Sequence, residues 1–168
     1  WIESVHVQEM ELGIERIREV GKRMGVLTFE CPVIIVGGTN GKGSTVAGLE
    51  AIYRASGRHV GAFTSPFLFR HNEEVRVDGE NPPDEDFCQA FQEVNDARGD
   101  ISITPFEFHT LAALKIFKSK KPDVLILEVG LGGRLDAVNI VPPDVAIVTS
   151  IGIDHVDYLG PTREHIGF

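Results

Sequence analysis

The segment Val33–Thr45, VIIVGGTNGKGST, joins a run of β-branched residues to a glycine-rich loop. Four consecutive apolar β-branched residues predict a buried strand. In the loop, glycines let backbone N–H groups turn toward one point, and Lys42 adds a full positive charge. Apolar residues at helical spacing then predict a helix that ends near Gly57. The segment therefore predicts a strand–loop–helix unit that binds a polyphosphate.

The loop departs at two positions from the pattern G-x-x-x-x-G-K-[ST] of phosphate-binding loops. Val36 stands where the first glycine is expected, and Gly43 separates Lys42 from Ser44. The strand, glycine-rich loop, lysine and helix are nevertheless all present in the required order. The alternative is a glycine-rich turn without a ligand, which this complete context disfavours.

Strands and helices alternate on both sides of this unit. A second strand is predicted at His59–Phe63, and apolar runs predict two further buried strands at Val124–Leu127 and Val145–Val148. Alternation predicts an exposed strand at Glu74–Val77. Helical spacing predicts helices over Met10–Met24, from an N-terminal cap at Asp84, and from a capping box at Thr104–Glu107. Buried strands that alternate with helices predict an α/β fold, a mostly parallel sheet with helices on both faces.

The composition limits the classes of function. The chain has 168 residues, with 16 Lys and Arg against 25 Asp and Glu, so its formal net charge is −9. This acidity argues against nucleic-acid binding, which needs a basic surface. Two cysteines are too few for a disulfide framework, and no apolar run approaches the about 20 residues that span a bilayer. With no secretory signal at Trp1–His6, we expect a cytoplasmic protein that does not bind membranes.

Chemically active residues follow four of the predicted strands. In parallel sheets, ligands bind beyond the carboxyl ends of the strands, where this sequence places Lys42, Ser65, Glu128 and His155. A carboxylate that closes a buried strand needs compensation, either from Mg²⁺ or from an arginine such as Arg134. Ser65 and His155 are further candidate ligands, with a turn and an ordinary surface residue as the alternatives. Together the four strand ends predict a Mg²⁺–nucleotide site.

The loop Gly38–Ser44 resembles the phosphate loop of the folylpolyglutamate synthases, relatives of the Mur ligases. Further motifs of this family follow the other strands: Thr64–Pro66, Glu128–Ala137 and Asp154–His155. The likeness extends from about Leu12 to Phe168, and Ala97–Ser102 and Asp157–Pro161 favour the bacterial bifunctional branch that also has dihydrofolate synthase activity. The resemblance implies the P-loop NTPase-like central domain of a Mur ligase.

The resemblance also implies roles for individual residues. The ATP phosphates would be held by Thr39, Asn40, Gly41, Lys42, Gly43 and Ser44. Mg²⁺ would be bound by Ser65, Glu128 and His155, and the catalytic residues would be Lys42, Glu128 and His155. A pterin pocket would be lined by Leu12, Gly13, Ile14, Glu15, Thr104, Pro105, Phe106, Glu107, Leu135, Asp136 and Ala137. The alternative roles are helix capping for Thr104 and Glu107, and plain packing for Leu12 and Ile14.

The implied reaction is ATP-dependent amide-bond formation. A carboxylate of dihydropteroate or of a reduced folate would accept the γ-phosphate, and L-glutamate would attack the resulting acyl phosphate. Family members continue beyond Phe168 with a lysine that becomes carbamylated and with a C-terminal domain. We therefore expect residues 1–168 to be an incomplete N-terminal ATP-binding domain, and a monomer. The alternatives are another Mur-type amide ligase with a different acid, and a non-catalytic nucleotide-binding module that acts as a switch.

Overall fold

The computed structural model of the chain describes residues 2 and 12–167. The helices are α1 (Glu15–Met24), α2 (Lys42–Ala55), α3 (Asp84–Arg98), α4 (Pro105–Lys120), α5 (Val156–Leu159) and α6 (Arg163–Ile166). The strands are β1 (Val33–Gly37), β2 (Val60–Phe63), β3 (Val75–Val77), β4 (Val124–Glu128) and β5 (Val145–Val148). Two short 3₁₀ turns span His71–Glu74 and Ala137–Ile140.

The five strands form one sheet in the order β3-β2-β4-β1-β5. β2, β4, β1 and β5 run parallel, while β3 pairs antiparallel with β2. Side chains of alternating residues divide the core between the two faces of the sheet: Ile34 and Val36 pack with α2, whereas Val33 and Ile35 pack with α1, α3 and α4. The predicted α/β fold with helices on both faces is therefore confirmed.

Val145–Val148 forms a strand as predicted, but the prediction that this strand is buried is wrong. These residues do form β5, but Val145 is 48% exposed and Val148 is 67% exposed. β5 lies at the end of the strand order and pairs only with β1 among the described strands. The composition of the strand predicted its conformation, whereas its burial depends on its place in the sheet.

The other strand and helix boundaries differ from the predictions in small ways. The predicted exposed strand Glu74–Val77 is shorter, because Glu74 belongs to the preceding 3₁₀ turn, and Val75 is buried. Helix α1 begins at Glu15, and the predicted helical residue Met10 lies outside the described residues. Asp84 is the first residue of α3 rather than its cap, and its carboxylate accepts hydrogen bonds from Arg70 and Asn72.

The predicted capping box at the start of α4 is confirmed. The Thr104 hydroxyl accepts a hydrogen bond from the Glu107 N–H at 3.2 Å, and the Glu107 carboxylate accepts one from the Thr104 N–H at 2.7 Å. Arg16 on α1 also donates to the Glu107 carboxylate. These bonds fix the start of α4 next to α1 at the carboxyl edge of the sheet. Within the described ranges, no helix has the length and apolar character needed to cross a membrane.

A largely buried ion pair joins α2 to β3. Arg76 Nε lies 3.0 Å from Glu50 Oε2, with the two side chains 23% and 7% exposed. We expect Arg76→Met to lower the free energy of unfolding by about 3 kcal/mol, because it leaves the Glu50 carboxylate buried without its counter-charge. Urea unfolding measures this loss.

The matched control is Glu19→Gln, which breaks the exposed Arg23–Glu19 pair on α1. Such exposed pairs contribute at most about 0.5 kcal/mol, so this variant should unfold almost like the unmodified chain. Equal losses in Arg76→Met and Glu19→Gln would contradict a stabilising role for the buried pair.

Candidate phosphate- and metal-binding site

The glycine-rich loop connects β1, which lies between β4 and β5 in the sheet, to the start of α2. Gly41 precedes α2 in a left-handed conformation, with φ 86°, which favours glycine. The Lys42 ammonium donates to the Gly38 carbonyl at 2.8 Å and so lies over the loop. The loop therefore combines the N-terminal end of a 14-residue helix with one lysine charge, an arrangement suited to phosphate groups.

The residues that follow β5 hold this loop in place. The Thr39 N–H donates to the Ser150 carbonyl at 2.7 Å, and the Thr149 hydroxyl donates to the Asn40 carbonyl at 2.7 Å. The Thr39 hydroxyl accepts a hydrogen bond from the Gly152 N–H at 2.9 Å. Sequence reasoning assigned no role to Thr149 or Ser150, because nothing local shows that they contact a loop more than 100 residues earlier.

Glu128 ends β4 beside this loop, paired in register with Val36 of β1. Its side chain is buried, and Oε2 has no hydrogen-bond partner in the described part of the chain. Burial raises the pKa of this carboxyl, while the charge of Lys42, a backbone hydrogen bond from Ser65 and the charge of Arg76 oppose the rise. A buried carboxylate oxygen without a partner is costly, and a divalent cation is the compensation that its chemistry fits. The cations acting on Glu128 include Lys42 and Arg76, whereas sequence reasoning offered Arg134 for this role.

Three of the four predicted strand-end residues line one open cavity of about 470 Å³: Lys42, Ser65 and His155. Glu128 is not on the wall of this cavity, but its carboxylate accepts a hydrogen bond from the backbone of Ser65, which does line it. His155 is exposed and adopts a left-handed conformation before α5. The sheet edge thus places Lys42, Ser65 and His155 in one cavity with Glu128 next to it, and their roles as metal ligands and catalytic residues stay predictions.

The other predicted residues of the phosphate loop differ in whether they line a cavity. Thr39 and Lys42 line a small second cavity of about 40 Å³, together with His155 and Asp154. Asn40, Gly41, Gly43 and Ser44 line neither cavity, and they form the turn and the first residues of α2.

Eight of the predicted pterin-pocket residues line the large cavity: Leu12, Gly13, Thr104, Phe106, Glu107, Leu135, Asp136 and Ala137. Ile14, Glu15 and Pro105 do not line it. Glu74 also lines this cavity. Sequence reasoning missed Glu74, because alternation placed it in a strand rather than in the turn before it.

After β4 the chain forms a second glycine-rich loop, residues 130–136, and Asp136 holds it with its two carboxylate oxygens. It accepts hydrogen bonds from the Leu131 N–H at 2.9 Å and from the Val138 N–H at 3.1 Å. Burial raises the pKa of Asp136 to about 6, although these backbone hydrogen bonds favour the ionised form. A carboxyl whose pKa is raised in the folded state stabilises the fold at low pH, and this contribution is lost as the pH rises toward 6.

We expect this titration to appear in the difference between the unmodified chain and Asp136→Asn. The stability advantage of the unmodified chain over the variant should decrease by about 3 kcal/mol between about pH 4 and pH 7. Urea unfolding at a series of pH values measures the difference. A constant difference across this range would show that Asp136 keeps its ordinary pKa in the fold.

The fold and this cavity define a class of protein. A glycine-rich loop leads from an interior strand of a mostly parallel sheet into a helix, and a buried carboxylate ends the neighbouring strand. This is the arrangement of a P-loop NTPase-like α/β domain.

Comparison with known proteins places the chain within that class. Residues 36–167 match the Mur ligase middle domain, and the chain belongs to the Mur ligase middle-domain family. It is 53% identical over 167 residues to the dihydrofolate synthase/folylpolyglutamate synthase of Escherichia coli. That alignment covers 99% of this chain and 40% of the relative, so the chain spans about two-fifths of the relative's length.

Two solved structures are similar over nearly the whole chain. One is Escherichia coli FolC in complex with DHPP and ADP, with a TM-score of 0.97 and 53% identity, covering 99% of this chain and 40% of that one. The other is a bifunctional folylpolyglutamate synthase/dihydrofolate synthase from Yersinia pestis complexed with AMPPNP and Mn ion. Its TM-score is 0.92 at 51% identity, with 99% of this chain and 40% of that one covered.

Proposed function

We propose that this chain is the ATP-binding domain of a ligase that adds L-glutamate to dihydropteroate and to reduced folates. The observation that carries the proposal is one shared cavity. It is lined by Lys42 of the phosphate loop and by Phe106 and Asp136 of the predicted pterin pocket. A phosphoryl donor and an acid acceptor must meet in one space for phosphoryl transfer. A nucleotide-binding switch needs no such second pocket beside its phosphate loop. The names and bound nucleotides of the similar proteins support the same function.

In this proposal the phosphate loop binds the ATP phosphates. Backbone N–H groups at the start of α2, from Gly41 to Ser44, and the Lys42 ammonium supply the positive field. Glu128, Ser65 and His155 hold Mg²⁺, and the unpaired Oε2 of Glu128 is the feature that fits this role best. When bound, Mg²⁺ neutralises charge on the phosphoryl group during its transfer.

The acid substrate occupies the other part of the cavity. The Phe106 ring and the Leu135 side chain supply apolar surface, and the start of α4 with Asp136 supplies polar groups. Lys42 holds the γ-phosphate toward the substrate carboxylate, which attacks phosphorus and releases ADP. The amine of L-glutamate then attacks the acyl phosphate, loses a proton, and expels phosphate as the amide forms. Phosphorylation is needed because a carboxylate is otherwise a poor electrophile.

The domain organisation belongs to the same proposal. We place residues 1–168 at the N-terminal, ATP-binding part of a longer monomeric cytoplasmic ligase, which the two-fifths coverage of its relatives supports. The part beyond this chain would supply the remaining nucleotide and glutamate contacts.

The experiment that tests this function measures ADP release by the ligase-length protein that carries this domain. Mg-ATP and L-glutamate are held saturating, and dihydropteroate or a reduced folate is added or omitted. ADP release that requires one of these acids supports the proposal. ADP release that ignores both, or that responds only to an unrelated carboxylic acid, would favour a switch module or another Mur-type ligase.

A further inference from the structure

A second group of metal-ligating side chains lies where the turn before β3 meets α4. His71, Glu74 and His109 each offer one ligand atom, and these atoms all lie within 4.8 Å of one another. We call these three residues the histidine–glutamate cluster. Glu74 is buried, His109 is largely buried and His71 is exposed to solvent. None of these three residues belongs to the proposed Mg²⁺ site of Ser65, Glu128 and His155.

The spacing of two cluster members already suits a metal ion. His109 Nδ1 lies 3.4 Å from Glu74 Oε2. Two ligands that are each about 2.1 Å from a tetrahedral zinc ion lie about 3.4 Å apart. The imidazole and the carboxylate therefore need no large movement to bind one ion together.

The third ligand is placed to complete the set. The His71 ring centroid lies 4.4 Å from that of His109, and the planes are tilted by 39°. His71 is exposed on a four-residue 3₁₀ turn, and its ligand atom already lies within 4.8 Å of those of Glu74 and His109. Phe67 also packs against the His71 ring, with centroids 4.0 Å apart.

We propose that His71, Glu74 and His109 form a binding site for Zn²⁺ or a chemically similar transition-metal ion. Two imidazole nitrogens and one carboxylate oxygen are a donor set that zinc binds, with a fourth position left for water. Imidazole also favours Co²⁺ and Ni²⁺, whereas Mg²⁺ prefers oxygen ligands. The cluster offers two imidazoles, whereas the proposed Mg²⁺ ligands Ser65, Glu128 and His155 include one, so the cluster has the stronger preference for a transition metal.

Binding an ion there would have a structural effect beside the cavity. The cluster joins the turn His71–Glu74 to His109 on the second turn of α4. Glu74 also lines the large cavity, and the loop before the turn exposes Leu68 and Phe69. A bound ion would fix this loop against α4 at the edge of the cavity, and it would stabilise the folded chain by mass action.

The test titrates Zn²⁺ into the chain against a chromophoric chelator and records the visible spectrum with Co²⁺ in its place. We expect one equivalent to bind, to raise the unfolding temperature and to resist an excess of Mg²⁺. His109→Gln and His71→Gln should each weaken binding by more than the about 10–100-fold that loss of an outer-shell partner costs. His71→Gln keeps the test valid if His109→Gln disturbs packing, because His71 is exposed.

The matched controls are His165→Gln, which removes a histidine outside the cluster, and Glu128→Gln, which removes the proposed Mg²⁺ ligand. Both should keep the Zn²⁺ affinity of the unmodified chain. Unchanged affinity in both cluster variants would overturn the proposal, and would mean that the rings of Phe67, His71, His109 and Phe91 only pack together. A thiolate charge-transfer band with Co²⁺ would also overturn it, in favour of a cysteine ligand such as Cys88.

Discussion

Exchanging Glu128 for glutamine is expected to abolish Mg²⁺-dependent ATP turnover by the ligase-length protein and to raise the unfolding temperature of the ligand-free chain. Turnover should fall by about 10²–10³-fold or more, the loss typical for removal of one group that stabilises charge in the transition state. The rise in stability follows from the raised pKa of the Glu128 carboxyl, since above that pKa the fold must bury a charge. Glutamine removes this charge and keeps the shape.

Two measurements check this pair of effects, ADP release at saturating Mg²⁺ and calorimetric unfolding near pH 7. Unchanged ADP release would remove Glu128 from the metal site. The matched control is Glu93→Gln on α3, where the Lys115 ammonium holds the pKa of the Glu93 carboxyl below its usual value. That variant should keep full turnover and lose a little stability at neutral pH, the opposite of both effects of Glu128→Gln.

Exchanging Gly38 for alanine is expected to separate the phosphate loop from the segment that follows β5. Gly38 has φ +129°, and an added Cβ would lie 2.2 Å from Thr149 Oγ1 and 2.9 Å from the Ser150 carbonyl oxygen. Because the second contact is with backbone, a side-chain rotation cannot relieve it. We expect a loss of about 3 kcal/mol in unfolding free energy from overpacking and backbone strain. Nucleotide affinity should fall at least about tenfold, which needs a loss of only about 1.4 kcal/mol.

Gly48→Ala is the control, because it makes the same change in the middle of α2. Nothing lies within 4 Å of a Cβ added there. Alanine in a helix is more stable than glycine by about 0.5–1 kcal/mol, so this variant should be stabilised and should bind nucleotide normally. Urea unfolding and fluorescence titration with a nucleotide analogue compare the two variants. Equal stability and affinity in Gly38→Ala and the unmodified chain would contradict the tight contact between the loop and Thr149.

The sequence predicted those parts of the fold that depend on local pattern. The strand β1, the glycine-rich turn into α2 and the capping box of α4 each carry a local signal, and these three structural elements are confirmed. The exposure of β5 was not predictable, because an apolar run has the same composition at the edge of a sheet as at its centre. Only the strand order distinguishes the two positions.

The residues around the cavity also divide into those that the sequence predicted and those that it did not. The rule that ligands bind at the carboxyl ends of parallel strands brought Lys42, Ser65 and His155 together correctly. The contacts of Thr149 with Asn40 and of His109 with Glu74 join residues far apart in the chain. No spacing in the sequence encodes such contacts, since they depend on how the helices and loops pack on the sheet.

The central claim is that the cavity beside Lys42 binds a phosphoryl donor and a carboxylic acid next to each other. The most direct test uses dihydropteroate labelled with ¹⁸O in its carboxylate, together with Mg-ATP, L-glutamate and the ligase-length protein. Transfer of the γ-phosphate to that carboxylate predicts that one labelled oxygen leaves with each inorganic phosphate released. Phosphate that carries no label, at a rate of ADP release unaffected by the acid, would contradict the account.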